Sequence, residues 1–188
     1  MNTTVNTHSI ANTLEPQWLL DRRSSGRETY TSLPVPSAKD ESWRFASILS
    51  EDIDAFKPAP KPEGPMVDYA LSNSTLVEDP IAELIFVDDH LVQTKSLPKD
   101  LVDKGVCFVS LNEAIEKHSD LLEPYFLKDG TRLGSQKYFG LHAANVKAGA
   151  VLYVPKGVEI NQPIAVYHWS NKERSLISPH TLIIAEAQ

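Results

Sequence analysis

Cysteine is almost missing from this chain. Cys107 is the only one in 188 residues, so no internal disulfide can form, a usage that fits a reducing compartment. No apolar run reaches the ~18 residues that a membrane helix needs, and no charged-then-apolar leader opens the sequence. Basic residues are outnumbered: 18 Lys and Arg face 25 Asp and Glu, for a net charge of −7. A protein that neutralises nucleic-acid phosphates or anionic headgroups needs the opposite balance. The expectation is a cytoplasmic protein whose partners include neither nucleic acid nor membrane. Local catalytic signatures are missing as well. His8, His90, His118, His142, His168 and His180 form no HxH, HxxxH or HExxH pair, the spacings that place two imidazoles on one metal. There is no GxSxG, no GxGxxG and no phosphate loop ending in GKS or GKT.

Glycine is scarce and proline is not. Thirteen prolines stand against eight glycines, and nine of the prolines precede residue 100, which implies extended backbone in the first half. Residues 1–14 are Asn- and Thr-rich and read as a disordered tail. Residues 15–65 read as an N-terminal helical segment with a proline-rich linker. Glu15 to about Arg27 is a weak helix candidate around Trp18, Leu19 and Leu20. Leu33-Pro-Val-Pro36 is extended, because proline restricts itself and its predecessor. Ser37 then reads as the N-cap of a helix to about Ser50, with Phe45, Ile48 and Leu49 on one face. Phe56 to Pro65 holds four prolines and reads as a connector, and Leu71-Ser-Asn-Ser-Thr75 as a turn.

Residues 66–146 read as a small α/β region. Ile81–Val87 and Leu91–Gln93 flank Asp88-Asp89-His90 and suggest a hairpin. Gly105–Ser110 is a further strand, and Ser110-Leu-Asn-Glu113 is a capping box that opens a helix ending before Pro124. From residue 147 to 188 the pattern changes. Strand cores centred near residues 152, 166 and 183 carry β-branched and aromatic side chains. Turns at Pro155-Lys-Gly157 and Asn161-Gln-Pro163 separate them, with no helix between. That spacing fits coils of a β-solenoid, or hairpins of a sandwich or barrel.

Each side chain with chemical capacity also has a plain structural reading. Cys107 sits between Val106 and Phe108 and reads as a small buried hydrophobe. Trp43 reads as a core anchor, and Arg44 as a partner of a nearby carboxylate or carbonyl, with a binding role as its alternative. His142 lies on the helix before the strands, and His168 alternates with Tyr167 and Trp169. Both read as packed or exposed side chains. Asp88-Asp89 and Glu51-Asp52 read as solvated turn and helix-end acids, and Gly130–Gly134 as a loop. No catalytic, cofactor-binding or metal residue is assigned.

Four blocks carry a family resemblance. Gly149-Ala-Val-Leu-Tyr-Val-Pro-Lys-Gly-Val-Glu-Ile-Asn-Gln-Pro-Ile164 resembles the start of the β-helix of the SufB/SufD family of iron–sulfur cluster assembly proteins. Tyr138-Phe-Gly-Leu-His-Ala-Ala-Asn145 resembles the helix before it, where the family pattern often has Asn at the position of His142. Leu33-Pro-Val-Pro-Ser-Ala-Lys-Asp-Glu-Ser-Trp-Arg44 resembles the N-terminal signature, and Ile81-Ala-Glu-Leu-Ile-Phe-Val-Asp-Asp-His-Leu-Val92 the strand pair that follows. The match is nearer to the SufD branch than to SufB.

The resemblance implies an α+β chain: an N-terminal helical and small α/β region leading into the first coils of a right-handed parallel β-helix. It further implies the non-catalytic N-terminal part of a scaffold subunit that acts with SufB and the ATPase SufC. The cluster would be assembled on the intact complex, and no cofactor is expected in this chain, since one cysteine does not hold a cluster. The SufC contact is expected outside this chain, and the uncovered last coil, Leu182–Gln188, is expected to self-associate. Two other readings remain. A cupin-like metal enzyme would use Glu159, His168 and His180, though such a barrel normally takes two histidines from one strand. A pure protein-interaction module fits the same pattern.

Overall fold

The computed structural model describes residues 15–45, 52–128, 135–171 and 173–187. The tail at 1–14 and the loop at 130–134 fall outside them. Helix α1 (Gln17–Ser32) runs past the expected Arg27. Its middle, Asp-Arg-Arg-Ser-Ser-Gly, has no apolar stripe, so periodicity does not reveal its length. Close approach to α6 (Gln136–Asn145) holds it instead. A Cβ on Gly140 would lie 2.6 Å from the Gly26 carbonyl oxygen, and one on Gly26 would lie 2.8 Å from Ala143 Cβ. The two backbones meet where both helices lack side chains. Lys137 then closes the end of α1. Its Nζ donates to the carbonyls of Tyr30 (2.5 Å) and Leu33 (2.8 Å) and sits 4.2 Å from the Tyr30 ring centroid. A cation at a helix C-terminus satisfies orphan carbonyls and complements the dipole.

The helix expected to start at Ser37 is replaced, in its described part, by turns. The Asp40 carboxylate accepts the Ser37 N–H at 2.7 Å, and Ser37 Oγ accepts the Lys39 N–H at 3.2 Å. These short polar side chains compete with the helical ladder. Within the described residues up to Phe45, a 3-10 turn, Glu41–Trp43, follows. Phe45 is 87% exposed rather than on a buried face; Ile48, Leu49 and Glu51 lie outside the described residues.

The proline-rich stretch is anchored rather than free. Strand β1 (Lys57–Pro58) pairs in parallel with β7 (Ser175–Leu176). Helix α2 (Gly64–Asn73) then starts with Pro65 in its first turn, where the missing N–H costs nothing. Of the segment read as a turn, Leu71–Thr75, the first three residues form the last turn of α2 and Ser74 is its C-cap. Ala70, Met66 and Leu71 pack on Ile85 and Val87, and that burial outweighs the turn propensity of Ser and Asn.

The hairpin forms as expected. β2 (Ala82–Val87) and β3 (His90–Lys95) are antiparallel around Asp88 and Asp89, at φ 49° and 63°. Both central residues at positive φ match the right-handed twist of the strands. β2 is buried along its whole length because it is central, between β3 and β6 (Ile164–Trp169). Leu84 and Phe86 face one core cluster with Phe108 and Ala150, while Ile85 and Val87 face α2. After a short helix α3 (Lys99–Asp103), a second sheet has the order β4 (Cys107–Ser110), β5 (Ala148–Val154), β8 (Pro179–Ala185). Ser110 caps α4 (Leu111–Lys117), its Oγ accepting the Glu113 N–H at 3.3 Å, while the Glu113 carboxylate binds Lys117 at 2.9 Å.

From β5 (Ala148–Val154) the chain crosses over and returns as β8 (Pro179–Ala185), in parallel register with β5. On the way it supplies β6 (Ile164–Trp169), parallel to β2, and β7, parallel to β1. Residues before and after position 146 therefore share every sheet. A third core cluster, around Leu19, Leu111, Leu122, Phe126, Val146 and Val151, joins the helices to β5.

Candidate functional site at the crossover corner

After β6 the crossover bends twice more, before β7 and before β8, and the β2–β3 turn holds both of these bends. Asp88 Oδ1 accepts the Asn171 N–H at 2.8 Å, and Asp89 Oδ2 accepts the Ser178 N–H at 2.7 Å. The sequence reading of these acids as solvated is wrong for Asp88, which is 1% exposed. The positive φ of the turn folds its carboxylate inward against the crossover. Asp88 Oδ2 is buried with no hydrogen-bond partner.

The Asp89 charge reaches two histidines, His142 and His168, and His142 in turn faces a third, His180. His142, in the last turn of α6, and His180, at the start of β8, face each other with Nε2 and Nδ1 3.0 Å apart. The His180 ring meets buried Phe126 edge-on at 4.7 Å. His168, near the end of β6, stacks on Phe86 at 4.9 Å and 11°. Burial lowers the pKa of the half-buried His142 and His180, and packing on Phe86 desolvates His168 in the same direction although that side chain is exposed on β6. The Asp89 charge opposes this at His142 and His168, whereas at His180 the neighbouring His142 adds to it and the value falls to about 4. At neutral pH the facing pair is uncharged and shares one proton. It can relay a proton or lend lone pairs. Sequence reading missed it because the partners are 38 residues apart, and only the β5–β8 register brings Gly149, just after α6, beside His180. Gly149 is required there: at φ 147° a Cβ would lie 1.8 Å from the His180 carbonyl oxygen.

The other singled-out residues lie elsewhere. Among the described residues, no group of three or more His, Cys, Asp and Glu could hold a metal, so Glu159, His168 and His180 do not form the cupin-like ligand set. Glu159 is exposed in the turn after β5. Cys107 is half-buried in β4, and burial, with Glu113 behind it, pushes its thiol up, away from the reactive thiolate. Trp43 is partly buried against Tyr138 at 5.4 Å. Arg44 pairs with Glu41 at 3.4 Å on the surface, as its structural reading expects. His90 begins β3, and His118 separates α4 from α5 (Ser119–Leu122).

The family model for the SufBD protein N-terminal region matches residues 5–166. The chain belongs to the SufBD family. The iron–sulfur cluster assembly protein SufD of Bacillus subtilis is 35% identical over 178 residues, which is 92% of this chain and 39% of that protein. Iron–sulfur cluster assembly SufBD family proteins of Staphylococcus aureus strains USA300 and N315 are 24% identical over 182 residues, 92% of this chain and 38% of theirs. The chain thus spans about two fifths of the length of these relatives. Among the described residues, no helix is long and apolar enough to cross a membrane.

Proposed function

We propose that this SufBD-family chain serves as the N-terminal part of a SufD-like scaffold subunit in iron–sulfur cluster assembly. It acts in the cytoplasm with SufB-like and SufC-like subunits and performs no catalysis itself. The cluster is the cargo of the assembled complex. The observation that carries this reading is the family match over residues 5–166, together with the 35% identity to a SufD. Its architecture, on this proposal, is the α/β base of a right-handed parallel β-helix. Supporting it, β5 and β8 are parallel and stacked, and the crossover between them contributes parallel strands to two further sheets.

In that arrangement β6, β7 and β8 each form the outer edge of their sheet, where further strands, or a second copy of the chain, would add. The test is co-purification. The tagged chain and a full-length SufD-like protein containing it are each expressed with the SufB-like and SufC-like subunits of the same organism. Capture of both subunits by the longer protein supports the scaffold role. Failure of the longer protein to capture either refutes it. Capture of SufC by the 188-residue chain alone would refute a SufC contact lying outside these residues.

A further inference from the structure

The His142–His180 pair is the chemistry left over once the corner has been described, and neither the family match nor the scaffold role uses it. We propose that this pair binds a divalent first-row d-block cation of the zinc type, held by two protein nitrogens and completed by water. His142 Nε2 and His180 Nδ1 lie 3.0 Å apart. Zinc–imidazole bonds are about 2.0–2.1 Å long and tetrahedrally disposed, which sets two ligand nitrogens about 3.4 Å apart. An opening of about 0.4 Å, with a tilt of the rings off their common line, admits an ion where the hydrogen bond now lies. Imidazole is a ligand such ions favour.

The surroundings suit that occupant. The two facing nitrogens already converge on one point, and an ion there replaces the hydrogen bond between them. Both residues are only partly buried, which leaves water access to complete the shell. The rings are carried by a helix and a strand rather than by loops, and Phe126 fixes the edge of His180. The Asp89 carboxylate acts on His142 and is itself held by the Ser178 N–H, so it offers outer-shell charge to offset the cation. With two protein ligands the site is open and exchangeable, unlike a four-ligand structural zinc. The proton balance closes within the pair. The ring that carries the shared proton changes tautomer, and the proton appears on its far nitrogen, Nδ1 of His142 or Nε2 of His180, with no net release.

The test titrates the EDTA-treated, purified chain with zinc chloride at neutral pH, by calorimetry and by imidazole nitrogen NMR shifts. One ion per chain is expected, with shifts confined to His142 and His180 and a heat independent of the buffer's ionisation enthalpy. His142→Asn retains a donor toward His180 and should fold, as circular dichroism will show, while binding weakens at least about tenfold. His118→Asn should leave binding unchanged. The proposal is overturned by the absence of stoichiometric binding, by shifts at other histidines, or by a folded His142→Asn variant that binds as the parent does. Should His142→Asn fail to fold, the shifts in the unaltered chain decide.

Discussion

Gly149 shows how one side chain governs the corner. A methyl group there would meet the His180 carbonyl, and the fold would hold an L-residue at φ 147°. Gly149→Ala should therefore cost about 2–5 kcal/mol, from backbone strain plus overpacking. Gly157→Ala is the control: φ is 75° but nothing lies within 4 Å of its added Cβ, so only about 1–2 kcal/mol is at stake. Urea midpoints at constant m separate the two. Asp88 is the second such residue. Asp88→Ala strands the Asn171 N–H and should cost about 1–3 kcal/mol. Asp88→Asn keeps the acceptor and tolerates positive φ, so it should cost clearly less; equal losses would remove the Asn171 bond from the account. Tyr30 supplies a pH prediction. Burial, then its bond to Asp54 at 2.7 Å, raises its pKa to about 12. A raised pKa means the contribution is complete below pH ~10, the unfolded value, and is lost as pH climbs toward 12. Tyrosinate absorbance should show a late-titrating component that Tyr30→Phe removes.

At the scale of elements, the α1–α6 pair rests on backbone approach and on one lysine. Lys137 is 9% exposed and its two acceptors are helix-end carbonyls. Lys137→Met fills the same space without the donors, so thermal melts should report a loss of about 1–3 kcal/mol. The elements legible in sequence were those whose signal is local. Asp88-Asp89-His90 between two apolar runs specifies a polar hairpin turn, with the pairing then drawing His90 into β3, and Ser110 before Leu111 specifies a cap. Local propensity misses two elements for different reasons: tertiary packing on Ile85 and Val87 makes a helix of Leu71–Asn73, while a local competitor, the Asp40 carboxylate, turns the Ser37 cap back on itself.

For the whole molecule, the outer edge of β8 is the surface to test. Ile183 is 64% exposed on it, whereas Ile184 is 8% exposed and belongs to the interior. If the chain self-associates through this edge, Ile183→Lys should shift sedimentation toward monomer while leaving the melting temperature nearly unchanged. Ile184→Lys should instead unfold the end of the sheet. An unaltered association state in Ile183→Lys removes β8 as the contact. The sequence by itself determined the family, the hairpin, the strands around residues 152, 166 and 183, and the shortage of positive charge, because each is written in residue types at short spacing. Only the tertiary structure decided that Asp88 is buried, that Lys57–Pro58 is a strand, and that His142 faces His180. Those facts depend on parallel pairing between segments tens of residues apart, and no short-range pattern encodes which strand will lie beside which.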